Sequence, residues 1–167
     1  MEKFHMNRLY LDGFPLVVQE LYQWDRMLEK LDKKLFLHLK KQGVISSMYA
    51  SKWFLTIFAS TFSFSIVIRI WDNYIYDGII FVFQTAFAIL KLFRKSLLKM
   101  DFEKLLGFLQ NIQLQEIKEE ELISTALSVN ISHKDLAIWA DEHAKQLQKQ
   151  EKEKEKEKEE KQEKEKN

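Results

Sequence analysis

Apolar residues recur at helical spacing along almost the whole chain, and nowhere do they alternate with polar ones long enough to make a strand. Val17, Leu21, Trp24, Leu28 and Leu31 form one apolar stripe on an amphipathic helix, with Pro15 placed where a first helical turn tolerates it. Punctuation separates the later segments. A second helix over Lys33 to Gln42 is expected to stop at Gly43, since glycine adopts a left-handed cap cheaply. Ser46 or Ser47 caps a third that runs to about Thr61, and a fourth covers Ser65 to Tyr76 and ends at Gly78. A long buried helix follows from Ile79 to Lys99, with Lys91, Arg94, Lys95 and Lys99 suited to the negative end of its dipole. Asp101 caps a helix to Gln110, Glu116 to Leu127 forms another, and Ser132 with Asp135 resembles a capping box that opens the last. The expected fold is all-α, with about eight helices.

Two uncharged runs, Trp53 to Ile68 and Ile79 to Leu90, admit a second reading as a membrane hairpin. A spanning helix needs roughly 20 apolar residues, and Arg69, Asp72, Asn73 and Asp77 stand between the runs. Buried core helices are the reading we carry forward, with no integral membrane insertion expected. From Gln150 onward there is no apolar residue, only a Glu/Lys-rich run that cannot bury surface. It is expected to continue the last helix as a frayed, solvated, low-complexity tail. The N-terminus has no unbroken apolar h-region, so the expected location is cytoplasmic.

Chemistry is sparse. With no cysteine there is no thiol nucleophile, iron–sulfur cluster or Cys-ligated zinc. With 26 basic against 25 acidic residues there is no global field to hold nucleic acid. His5, His38, His133 and His143 show no metal-binding spacing and are expected at surface or boundary positions. The four glycines are scattered and build no phosphate loop. The carboxylates of the body are expected on polar helix faces, untuned by apolar surroundings. No catalytic, cofactor-binding or metal residues are assigned, and no cofactor is implied.

One stretch is informative. Trp53, Phe54 and Leu55 are followed by Arg69-Ile70-Trp71-Asp72 and then Gly78. This order resembles the C-terminal half of the TBC domain, the helical module of Rab GTPase-activating proteins. Leu9 to Pro15, Leu21-Tyr22, Asp25-Arg26 and Leu35 to Val44 are similar to the segment before it, and the likeness covers residues 4–140. Residues 4–112 correspond to the half-domain, 113–149 to its terminal helices, and 150–167 to the tail. The resemblance implies a Rab-family GTPase as partner, regulation of GTP hydrolysis and vesicle traffic, and a place in the cytoplasm or peripheral on endomembranes. Such a protein stimulates its partner's hydrolysis and is no enzyme alone.

The family supplies an arginine in I-x-x-D-x-x-R and a glutamine in Y-x-Q. Neither motif occurs here. The four arginines, Arg8, Arg26, Arg69 and Arg94, do not fit, and Leu98, Asp101 and Lys104 imitate the first motif too late in the domain and with lysine. The resemblance therefore implies a truncated or catalytically incomplete activator. The alternatives are a non-catalytic helical scaffold or Rab-binding module, and, from another class, the small membrane hairpin protein. Trp53 and Phe54 are expected in the core, and Arg69 and Asp72, three apart on one face, to pair with each other or to brace the chain. A half-domain also implies self-association through an exposed apolar face, with Val17, Leu21, Trp24 and Leu28 as contributors.

Overall fold

The computed structural model describes residues 15–165, with side chains through residue 153. The described part is all-α. It contains α1 (Pro15–Leu31), α2 (Lys33–Gln42), α3 (Ala50–Thr56), α4 (Phe64–Asp77), α5 (Ile79–Leu97), α6 (Phe102–Gln110), α7 (Glu119–Leu127) and α8 (His133–Glu165), with 3-10 turns at Ser46–Met48 and Ile112–Leu114. His5, Arg8 and the motif residues Leu9 to Phe14 lie outside the described residues.

Two groups of helices share one core. The first is built on α5, which packs on α7, α4 and α3; the second on α1, which packs on α8, α2 and α3. α5 is buried on nearly every side, from Ile80 to Leu97, as a helix that is apolar all round must be. Its Thr85 hydroxyl returns to the Phe81 carbonyl at 2.8 Å, which removes an otherwise unpaired group from the core. Among the described residues no helix is long and apolar enough to cross a membrane. Both uncharged runs are instead core segments and the turn between α3 and α4.

Three helix ends follow the side chains expected to set them, but neither Ser46 nor Ser47 caps the third helix: Tyr49 is the N-cap of α3, without a side-chain bond, and the Ser46 hydroxyl goes to Asp25 instead. Gly43 takes the left-handed conformation, φ 75° and ψ 14°, and its N–H returns to α2. Asp101 accepts from the Lys104 N–H at 3.1 Å. At the start of α8 the Asp135 carboxylate accepts from the Ser132 N–H at 3.0 Å, and the Ser132 hydroxyl accepts from the Asp135 N–H at 3.2 Å. Bonds from Lys30 and Ser132 hold the Asp135 carboxyl down at about 2. Beyond His143 the described side chains of α8 are all exposed. The helix of 33 residues is about 50 Å long overall.

Four further expectations are corrected. The α1 stripe is not an open face: Val17, Trp24 and Leu28 are buried and Leu21 is half-buried. α8 covers it, tied down by Gln23 donating to the Leu136 carbonyl at 2.8 Å, Lys30 to Asp135 at 2.6 Å, and Arg26 to Glu142 at 3.2 Å. The segment from Ser46 to Thr61 is not one helix, because the backbone turns left-handed at Ile57 and Phe58. α7 begins at Glu119 rather than Glu116. His143 is buried, its ring 5.0 Å from that of Tyr22, and burial holds its imidazole below the usual range.

The fifth correction has a measurable consequence. Glu20 and Asp25 do not lie on polar faces. Glu20 is 4% exposed with one carboxylate oxygen unpaired, and burial pushes its carboxyl up to about 8. Asp25 rises to about 6 by burial, opposed by the Ser46 hydroxyl at 3.2 Å. Both folded carboxyls hold their protons above the pH at which the unfolded ones lose them. Stability from Glu20 is therefore complete below about 4.5 and is lost as pH rises toward about 8. We expect Glu20→Gln to leave stability nearly unchanged at pH 4.5 and to raise it by about 4 kcal/mol at pH 8, read from urea titrations at the two values. Equal effects at both values would show that the carboxyl is not held protonated by the fold.

Candidate functional site

The residues singled out in the sequence converge on α3, α4 and the turn between them. Trp53 and Phe54 are both 1% exposed. Trp53 lies edge-on to Tyr49 at 5.2 Å and tilted to Phe58 at 5.8 Å. Phe54 meets Phe83 of α5 at 4.9 Å and Trp24 of α1 at 6.4 Å. The Trp24 indole N–H donates to the Tyr49 hydroxyl at 2.9 Å, so neither polar atom is left bare in the core. This aromatic cluster joins the two groups of helices. Leu55, one residue on, is half-buried.

α3 then ends abruptly. Ile57 has φ 45° and Phe58 φ 61°, the left-handed region that a β-branched residue rarely enters. Local bonds hold it there: Ile57 N–H to the Phe54 carbonyl at 3.3 Å and Phe58 N–H to the Trp53 carbonyl at 3.0 Å. A further bond comes from α4, where the Trp71 indole N–H donates to the Ile57 carbonyl at 3.0 Å. The tryptophan of Arg-x-Trp-Asp thus braces a strained backbone turn fourteen residues upstream.

Arg69 does not pair with Asp72. Its guanidinium reaches Glu119 on the first turn of α7 at 3.3 Å, and the acidic start of that helix suits its dipole. Asp72 is exposed and makes no ion pair among the described residues. Gly78 closes α4 at φ 75° and ψ −154°, a region open to glycine but not to side chains. Nothing lies within 4 Å of where its Cβ would be, so the requirement is conformational, not spatial.

Among the described residues no group of three His, Asp or Glu could hold a metal ion. Each described arginine is engaged: Arg26 with Glu29 and Glu142, Arg69 with Glu119, and Arg94 with Asp32. Asp32 also accepts from the Leu35 N–H as the N-cap of α2, so the Arg94 pair fixes the hinge between α1 and α2 against α5. A cleft of about 240 Å³ lies between α1, α2 and the Ser46 turn, with Asp25, Phe36 and Tyr49 in its walls.

Comparison with known proteins is decisive for the frame. A family profile described as the RabGAP TBC domain matches residues 1–121. The chain belongs to the RabGAP TBC family. It is 36% identical over 111 residues to GTPase-activating protein GYP5 of Saccharomyces cerevisiae, covering 66% of this chain and 12% of that protein. It is 31% identical over 138 residues to the Ecotropic viral integration site 5 protein of Mus musculus, covering 81% of this chain and 17% of that one. The solved Ypt/Rab-GAP domain of Gyp1p is similar in fold, with TM-score 0.66, 21% identity, and coverage of 83% of this chain and 42% of that domain. This TBC chain thus spans under a fifth of the length of these curated relatives, and under half of the solved domain.

Proposed function

We propose that the chain is the C-terminal half of a TBC domain, residues 4–112 with terminal helices 113–149 and a charged tail, and that it binds a Rab GTPase without supplying a catalytic finger. The observation that carries this reading is the state of the arginines. Activators of this kind place a cation on the developing phosphoryl charge and orient the attacking water. Here the sequence has no Tyr-x-Gln, and every described arginine already has a carboxylate partner within the body. Withdrawing Arg94 from Asp32 would also loosen an N-cap. Trp53, Phe54, Leu55, Arg69, Trp71, Asp72 and Gly78 serve this reading mainly as structure, holding α3, α4 and α7 in the family's arrangement.

Binding is the test. Calorimetric titration of the full chain against a panel of Rabs, each loaded with GDP or with a non-hydrolysable GTP analogue, is expected to show nucleotide-dependent binding to at least one. Absence of binding to every Rab would overturn the proposal and leave a helical scaffold.

A further inference from the structure

Charge is spread unevenly over the body. Residues 33–71 and 78–100 contain no aspartate or glutamate, although the whole chain carries 26 basic and 25 acidic residues. On α2, Lys33, Lys34, Leu37, Lys40 and Lys41 follow the i, i+1, i+4, i+7, i+8 pattern of one helical face. All five are exposed, and the buried Leu35 and Leu39 mark the opposite face. Lys91 and Lys95 lie four apart at the end of α5, and Lys99 follows in the turn after it, all three exposed. Two ties hold α2 against that end. Arg94 donates to Asp32 at 3.0 Å, and the His38 ring donates to the Met100 carbonyl at 3.0 Å. We propose that the outer face of α2, flanked by the end of α5, docks on an anionic membrane surface. The inference does not depend on Rab binding.

The charges are available for such a partner. None of these seven lysines makes an ion pair among the described residues, and Lys91 reaches only the Ser128 hydroxyl, at 3.3 Å. Of the neighbouring carboxylates, Asp32 is held by Arg94 and Asp101 by Lys104 at 3.3 Å. That leaves Glu103 at the start of α6 and Asp25, whose cleft Lys40 also lines. Seven cations therefore outnumber the anions beside them.

Residue type selects a membrane over other polyanions. Every described arginine is bound to a carboxylate, so the face offers lysines alone. These are compact, hydrated point charges without the planar fork that matches a single carboxylate or phosphate. No exposed aromatic ring stands among them for a nucleic-acid base to stack on, since the exposed rings of the described residues belong to α4 and α6. Lys33 and Lys41 stand about 12 Å apart along the axis, a spread that suits a plane of headgroups rather than one phosphate. In their midst Leu37 is 50% exposed, an apolar side chain that can enter the interface while the lysine stems lie over it. Each lysine near such a surface is worth about fivefold in partition, and the attraction fades within a Debye length.

Co-sedimentation of the full chain with vesicles tests this, using phosphatidylcholine alone and phosphatidylcholine with about 30% phosphatidylserine. Binding is expected only to the second, and to disappear as salt rises to about 0.5 M. Lys34→Gln combined with Lys41→Gln is expected to bind about 30-fold more weakly, with helicity by circular dichroism unchanged. Lys145→Gln combined with Lys152→Gln, exposed on α8, is expected to stay within about twofold of wild type. Leu37→Ala is expected to weaken binding roughly fivefold. No binding to the phosphatidylserine vesicles at low salt would overturn the proposal and leave the face to an acidic protein segment. Equal binding to both vesicles, or equal losses from the α2 and α8 pairs, would overturn it as well, because neither charge nor this face would then direct docking. A Leu37→Ala chain that binds like wild type would overturn the placement of Leu37 in the interface.

Discussion

Trp53→Ala is expected to cost about 3–5 kcal/mol, a large part of the roughly 5–15 kcal/mol that holds a domain of this size. The side chain is 1% exposed, and its ring contacts Tyr49 and Phe58 at the junction of the two helix groups. Neighbours cannot collapse into the space, because Phe58 is pinned by its left-handed backbone and Tyr49 by the Trp24 indole. A midpoint lower by about 10–15 °C is the expected thermal signature. Trp71→Phe is the contrasting control. That position is 44% exposed and gives up chiefly one hydrogen bond to the Ile57 carbonyl, worth about 1 kcal/mol. Equal losses for the two substitutions would mean that the second tryptophan of the motif is as much a core residue as the first.

Where the chain announces its own punctuation, the sequence was enough. Gly43, Asp101 and the Ser132–Asp135 pair each carry a local mechanism that ends or starts a helix, and each does so here. The break after Thr56 has no such mark. Isoleucine and phenylalanine are poor residues for a left-handed turn, and beside the local backbone bonds a bond from Trp71 on the next helix helps hold them, which no local pattern reveals. Glu20 is a different case. It lies three residues after Val17 and four before Trp24, on the apolar face of α1, so its spacing already pointed inward. A charge type read as a surface residue hid that signal.

Helix α4 shows a further limit. Two apolar stripes interleave along it, and periodicity alone cannot say which one the core takes. The same applied to α1, whose stripe was visible but whose cover, α8, lies more than a hundred residues away in sequence. The motif residues were legible as a set, yet their roles were not. Arg69 is matched by Glu119 across α7, a partner fixed only by the packing of helices far apart in the chain.

The central proposal is that this chain keeps the helical frame of its family and supplies no catalytic finger. An arginine finger is worth about 10³–10⁵ in rate. Contact area that binds ground and transition states alike adds none of it. Arg26, Arg69 and Arg94 are committed to carboxylates, and a lysine offers a point charge without the planar fork that matches phosphate oxygens. The most direct measurement is single-turnover GTP hydrolysis by a panel of Rabs with the full chain in excess. The account predicts rates within about threefold of the intrinsic value, including for any Rab that binds. Acceleration of roughly 100-fold or more, a substantial part of a finger's worth, would contradict it, and loss of that acceleration in Arg69→Ala with folding intact would identify the residue responsible.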